Sequence, residues 1–270
     1  MKLPSMKRLA VILVLSGFLA TIPISHSNKG QFGGTFIGAI VAEDGIVVGS
    51  DSRSTFVDSG GKPVGYVDRM PKIFVKGGAA IAVAGLTSVE DELFSSFIRR
   101  NDYVLNSAAD EVLYNVALKL PFRNTNNVLM LSAGLSDGEP MICAKVPVEP
   151  QSCRKSGYFA NKNSPGLRRW FEARRGRVGS VREASAALEK AIREASDLDS
   201  TIGGPITLLE LPNTGNPQWL QNPPNDNGWT RVCDIVEAYR KGRISIFFTD
   251  SKEVLDGYLA GVCPRQNGSL

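Results

Sequence analysis

Three residues in the first third of the chain have types and spacings that suit hydrolytic chemistry. Thr35 follows a pair of glycines, Asp51 comes sixteen residues later, and Lys72 opens an apolar segment. If the chain is cut before Thr35, that residue carries both a hydroxyl and a free α-amine, which together form a nucleophile with its own base. A cationic Lys72 would favour the deprotonated forms of both groups, and Asp51 would pair with it and hold its orientation.

The first 27 residues have the pattern of an export signal. A basic start with Lys2, Lys7 and Arg8 precedes an almost unbroken apolar run over 9–24, and small residues follow. The run is shorter than the roughly 20 residues of a membrane-spanning helix, and an uncleaved anchor is the alternative. We expect a signal peptide over 1–27, a short prosegment over 28–34 and one domain over 35–270, in a secreted or periplasmic protein.

Charge and histidine content exclude several kinds of function. The chain has 31 Lys and Arg against 27 Asp and Glu, but three of the basic residues lie in the leader. The remainder is nearly neutral, so we expect no nucleic-acid partner. The single histidine, His26, also lies in the leader. Its position excludes Ser-His-Asp and Cys-His catalysis and histidine-ligated zinc for the remainder, and we expect no cofactor.

Four cysteines follow the leader, and an even number in an exported chain favours disulfides. Three pairings are open. We favour Cys143–Cys153, which would close a local loop, together with Cys233–Cys263. Four buried thiols are the alternative if the protein is not exported. The spacings match no zinc site.

Hydrophobic patterning predicts strands, then helices, then strands with one more helix among them. Hairpins are expected around Asp44-Gly45 and Ser136-Asp137-Gly138, with an irregular hairpin over 56–71. Other strands are expected over 72–75, 79–84, 206–211 and 244–248. Helices are expected from Ser88, over 108–120 and over 180–196, and an exposed loop over 212–229. Two sheets with apolar outer faces would need a layer of helix on each side.

Four sequence features occur in an order typical of one family. They are the Gly34-Thr35 pair, the Asp51-Ser52-Arg53 triplet, Lys72-Ile73 and Ala84-Gly85. In this register the chain from Gly34 to about Leu211 resembles the β-type subunits of the proteasome family, within the N-terminal-nucleophile hydrolases. The resemblance implies a four-layer αββα sandwich of two mainly antiparallel sheets. It also implies cleavage between Gly34 and Thr35 and assembly into a homo-oligomer, with rings as the family's usual form.

The resemblance also implies roles for two further residues. Gly85 would supply a backbone N–H to the oxyanion, and Asp199 would support the Thr35 amine. The family has a serine where this chain has Ile202, and Ser200 and Thr201 are candidates to replace it if the loop is shifted. Arg53 is interpreted as structural. The family's other active-site serine aligns ambiguously: Ser164 is a candidate, although a helix N-cap before Pro165 is the favoured role.

These features predict an exported, self-processing threonine peptidase or amidase that acts on a peptide or amide substrate. A catalytically silent proteasome-fold scaffold or assembly subunit is the alternative, and a small-molecule amidase is a third hypothesis. Because no ATP is present outside the cytoplasm, we expect no ATPase partner and a substrate that is already unfolded or small.

Overall fold

The computed structural model describes residues 34–76, 78–85, 88–89, 92–100, 128–146, 149–224 and 228–264. This part of the chain is a mixed α/β fold. Its strands are β1 Ile37–Ala42, β2 Gly45–Ser50, β3 Ser54–Val57, β4 Pro63–Val67, β5 Ile73–Lys76, β6 Ala79–Gly85, β7 Ser88–Val89, β8 Glu92–Leu93, β9 Val128–Ser136, β10 Glu139–Lys145, β11 Ser152–Arg154, β12 Tyr158–Ala160, β13 Thr207–Pro212, β14 Gln218–Gln221 and β15 Phe247–Phe248. Its helices are α1 Phe94–Arg100, α2 Pro165–Ala173, α3 Val181–Leu198, α4 Val232–Arg240 and α5 Lys252–Val262.

Two antiparallel five-stranded sheets form the centre of the described fold. The first has the strand order β12-β1-β2-β13-β14 and the second has the order β11-β10-β9-β6-β5. A three-stranded sheet, β15-β4-β3, and the short pair β7-β8 lie outside them. In the first sheet Ile37 pairs with Ser50, so the start of β1 lies beside the end of β2.

The two sheets face each other across a buried apolar cluster that draws residues from both, including Ile37, Val48, Ala82 and Leu131. Helices α2 and α3 cover the other face of the first sheet through a second cluster. Helix α1 packs on the other face of the second sheet. The helix predicted over 108–120 lies outside the described residues, so the complete four-layer arrangement stays a prediction.

Helix α3 approaches the β1–β2 hairpin closely because two glycines face it. A side chain at Gly38 or Gly49 would come within 2.9 or 2.8 Å of the Leu188 side chain. The helix begins as the sequence predicts, with the Ser180 hydroxyl accepting a hydrogen bond from the Glu183 N–H at 3.3 Å. This packing fixes the hairpin whose open end carries Thr35 and Asp51.

The main hairpins are confirmed. Asp44 lies in the turn between β1 and β2, and the strands β9 and β10 meet at a two-residue turn. Asp137 and Gly138 in that turn both have positive φ, at 52° and 80°, as a type I′ hairpin requires. The irregular hairpin over 56–71 is also present as β3–β4, with a register shift between Phe56 and Val57.

Three local predictions are wrong because tertiary pairing outweighs local preference. The helix expected from Ser88 begins only at Phe94, since Ser88 belongs to β7 and the Leu93 N–H donates to the Thr230 carbonyl. The exposed loop expected over 212–229 contains β14, which pairs with β13. The strand expected over 244–248 is only two residues long. Its first part instead packs against α4 and α5 through Ile246.

The predicted cysteine pairing is confirmed in the structure. Cys143–Cys153 links paired positions of β10 and β11, and Cys233–Cys263 links α4 to the end of α5. Both pairs are compatible with an oxidising extracellular location. Of the helices in the described ranges, none has the length and apolar character needed to cross a membrane.

Removing each disulfide tests its contribution to stability. The chain-entropy model gives losses of about 3 kcal/mol for Cys143→Ser/Cys153→Ser and about 4 kcal/mol for Cys233→Ser/Cys263→Ser, because the second bond closes the longer loop. Urea unfolding of the two double variants and the wild type measures the free energies. A larger loss from the first pair would contradict this prediction.

Candidate active site

The candidate site lies where the ends of several elements meet. Thr35 precedes β1, Asp51 follows β2, and Lys72 precedes β5 of the second sheet. The segment 199–204, between α3 and β13, closes the same region. The antiparallel pairing of β1 with β2, and of β2 with β13, brings Thr35, Asp51 and the segment 199–204 together. The packing of the second sheet against the first adds Lys72.

Asp51 is fully buried, and its carboxylate accepts four hydrogen bonds. One oxygen accepts from the Phe36 N–H and from the Lys72 ammonium, each at 2.8 Å. The other accepts from the N–H groups of Arg53 at 3.1 Å and Gly203 at 3.0 Å. The carboxylate therefore joins the start of β1, its own turn, the segment before β13 and the lysine.

Lys72 is also buried, with 3% of its surface exposed. Its ammonium donates to Asp51 at 2.8 Å and to the Gly34 carbonyl oxygen at 3.3 Å. Burial lowers the pKa of Lys72 below the ordinary lysine range, while the charge and hydrogen bond of Asp51 oppose that fall. The carbonyl that Lys72 contacts belongs to the peptide bond between Gly34 and Thr35.

Thr35 is buried and held by a side chain that the sequence analysis did not assign to the site. The amide of Asn161 donates to the Thr35 carbonyl at 2.8 Å and accepts from the Ile37 N–H at 2.8 Å. Asn161 directly follows β12, the edge strand beside β1. Its place in the polar run Asn161-Lys162-Asn163 was the available signal, but the strand before it was not predicted and its register with β1 could not be read from the sequence.

Gly34 has a conformation and a setting that suit glycine alone. Its φ is +72°, in the left-handed region. An added Cβ would come within 2.8 Å of the Thr201 carbonyl oxygen and 2.9 Å of the Thr55 hydroxyl. The residue before the candidate cleavage point is therefore enclosed on two sides.

Asp199 caps the C-terminal end of α3 and takes part in a second polar cluster. One carboxylate oxygen accepts from the Thr201 N–H at 3.0 Å and from the Thr201 hydroxyl, and the other accepts from Lys162 at 3.3 Å. Partial burial acts to raise the pKa of Asp199. The hydrogen bonds from Thr201 and the charge of Lys162 outweigh that effect, so the pKa lies below the ordinary aspartate value. Ile202 is buried in the apolar cluster under α3 and offers no hydroxyl.

The remaining candidates fall at the edge of the site or in structural positions. Gly85 ends β6 with φ +97°. It lies two residues after Val83, whose N–H donates to the Lys72 carbonyl. Its role as a donor to the oxyanion stays a prediction. Ser164 is the N-cap of α2, accepting from the Leu167 N–H. Arg53 binds Asp68 through two hydrogen bonds and also donates to the Ser200 carbonyl at 2.6 Å.

The described residues contain no cluster of side chains suited to hold a metal ion.

Comparison with known proteins gives evidence on the fold. No family model matches the chain, and no curated protein matches it. The structure is similar to the solved structure of the Anbu Gly-1 mutant from Hyphomicrobium sp. strain MC1, with a TM-score of 0.52 and 14% identity over 78% of this chain and 95% of that one. Anbu is a proteasome-like protein, so the likeness shows a proteasome-like fold.

The buried ion pair gives a prediction about stability. Asp51→Asn should lower the free energy of unfolding by about 3–5 kcal/mol, because it leaves the buried Lys72 ammonium without a counter-charge. The new amide N–H₂ would also face groups that themselves donate hydrogen bonds to Asp51. Lys72→Met should cost less, because three backbone donors still satisfy the carboxylate. Urea unfolding measures both.

A matched control is available on the surface. Asp250→Asn removes the exposed ion pair with Lys62 and should change stability by no more than about 1 kcal/mol. If Asp51→Asn is as mild as Asp250→Asn, the buried pair does not organise the site as described.

Proposed function

We propose that this protein is an exported N-terminal-nucleophile hydrolase that activates itself by cutting the bond between Gly34 and Thr35. The contact between the buried Lys72 ammonium and the Gly34 carbonyl carries the proposal, because it polarises the one bond whose cleavage would free the Thr35 amine. The proposed arrangement is a signal peptide over 1–27, a prosegment over 28–34 and a four-layer αββα domain over 35–270.

The self-cleavage step uses the geometry of the uncut chain. The Thr35 hydroxyl oxygen attacks the Gly34 carbonyl carbon, and Lys72 stabilises the negative charge that develops on the carbonyl oxygen. The C–N bond breaks, the Thr35 nitrogen takes the hydroxyl proton, and an ester joins Gly34 to the Thr35 side chain. Water then hydrolyses the ester, releasing the Gly34 carboxylate and a Thr35 with a free amine and hydroxyl.

The cut protein would use the same oxygen on a peptide or amide substrate. The free amine takes the hydroxyl proton as the oxygen attacks the substrate carbonyl, and gives it to the departing amine. Lys72 stays charged beside Asp51 and favours the neutral amine. Water hydrolyses the acyl-threonine ester and restores the site. Gly85 is the proposed backbone donor to the substrate oxyanion, and a homo-oligomer is the proposed assembly.

Variants at Thr35 test self-cleavage. Full-length Thr35→Ala should retain the residues before position 35, because no hydroxyl is present to attack Gly34, whereas Thr35→Ser should still be cut. Intact mass spectrometry of purified protein reads the new N-terminus. A folded wild-type chain that keeps Gly34, or a Thr35→Ala chain that loses it, would contradict the proposal and favour the scaffold alternative.

The pH dependence of hydrolysis tests the two ammonium groups. An α-amine ordinarily titrates near 7.7–8.0, and the Lys72 charge favours its neutral form, so kcat/KM should rise as the amine loses its proton at or below that range. At alkaline pH kcat/KM should fall again as Lys72 loses its proton and its charge. This fall should come at a pH below the ordinary lysine range, because burial lowers the pKa of Lys72.

Initial rates on a fluorogenic peptide library between pH 5 and 11 would define both limbs of this profile. Thr35→Ala supplies the background rate at each pH. A profile without the alkaline limb would show that hydrolysis does not need the Lys72 charge.

A further inference from the structure

A second ion pair lies beside the nucleophile, and the mechanism above does not use it. Lys162 contacts Asp199 at 3.3 Å, and both side chains are partly buried, with 25% and 37% of their surfaces exposed. Lys162 directly follows Asn161, whose side-chain amide donates to the Thr35 carbonyl and accepts from the Ile37 N–H. The chain therefore brings a second ammonium group to the segment that positions the nucleophile.

Thr201 connects this ion pair to the cleavage point. Its hydroxyl and N–H both donate to Asp199, and its carbonyl oxygen lies 2.8 Å from the place where a Cβ of Gly34 would be. When the bond after Gly34 is cut, the new amine of Thr35 forms next to this threonine. Gly34, whose bond to Thr35 would be cut, is thus contacted by Lys72 through its carbonyl and adjoined by Thr201, which binds Asp199.

The charge of this cluster matters for a catalytic amine. A carboxylate near an amine stabilises the ammonium form, which cannot accept the hydroxyl proton. An unpaired Asp199 would therefore favour the inactive form of the Thr35 amine. Lys162 compensates the carboxylate charge and leaves Thr201 and Asp199 available as oriented hydrogen-bond partners.

We propose that Lys162 is a positioning residue of the mature site, which compensates Asp199 and keeps the Thr35 amine neutral at working pH. This inference depends on the proposed function. Lys162 acts through Asp199 and does not touch the reacting atoms.

Charged groups from several of the described elements lie around the Gly34–Thr35 bond. Lys72, before β5, contacts Asp51 at the end of β2 and the Gly34 carbonyl, and Asp199, at the end of α3, contacts Lys162 in the segment after β12. The Arg53–Asp68 pair lies behind the segment 199–204 and is internally compensated. The Lys162–Asp199 pair shares no hydrogen bond with Lys72, so it can be altered without removing the proposed self-cleavage contacts of Lys72.

The experiment titrates the Thr35 amine directly in processed protein expressed from the full chain. The protein is labelled with ¹³C-threonine, and the Cα and Cβ signals of Thr35 are followed against pH by NMR. The variants are Lys162→Met, Lys162→Arg and Asp199→Asn. Lys190→Met, which removes an exposed lysine from α3, is the matched control. The acidic limb of kcat/KM is measured on the same samples.

Lys162→Met should raise the midpoint of the Thr35 titration and of the acidic limb by about 0.5–1 pH unit, a shift reduced by the partial exposure of the pair. Lys162→Arg should restore the wild-type midpoint, and Asp199→Asn should lower it. Lys162→Met should still cut itself completely, because cleavage precedes the free amine. Lys190→Met should match the wild type.

Two results overturn the inference and can be told apart. If Lys162→Met lowers activity equally at every pH with an unchanged Thr35 midpoint, Lys162 is merely structural and the proposed function stands. If the wild-type chain is never cut before Thr35, or hydrolysis persists in Thr35→Ala, the proposed function fails and this inference fails with it.

Discussion

The buried ion pair of Lys72 and Asp51 is the interaction on which the rest of the site depends. Removing both charges from water is costly, and their attraction offsets that cost only when further hydrogen bonds satisfy the carboxylate. Here those bonds come from the N–H groups of Phe36, Arg53 and Gly203, which belong to three separate segments. Each segment must be in place for the pair to be stable, so folding of both sheets and formation of the site are coupled.

Much of the central fold could be predicted because its signals are local. The hairpin at Asp44-Gly45 and the cap at Ser180 follow from turn and capping chemistry within a few residues, and the disulfide pairing followed from loop length and export. The C-terminal region was harder. Ile246 lies in an apolar run typical of a strand, but α4 and α5 bury it, and that packing cannot be predicted from the neighbouring residues in the sequence.

Some residues of the candidate site could be predicted from the sequence and others could not. Thr35, Asp51 and Lys72 were assigned from their types and spacing, and the structure brings Asp51, Lys72 and the carbonyl before Thr35 into contact. Asn161 and Lys162 were missed because their partners lie more than 30 residues away along the chain. The pairing of β12 with β1 brings them to the segment that contains Thr35, and this long-range pairing cannot be read from local sequence.

The central claim is that the amine and hydroxyl of Thr35 act as one reactive unit beside the Lys72 ammonium. An α′,β′-epoxyketone peptide tests it most directly, because its carbonyl reacts with the hydroxyl and its epoxide with the amine of the same residue. Intact and peptide mass spectrometry of the processed protein should show the whole probe mass added once, on the peptide that begins at Thr35. Folded, processed protein that gains no adduct there, or gains it at another residue, would contradict the account.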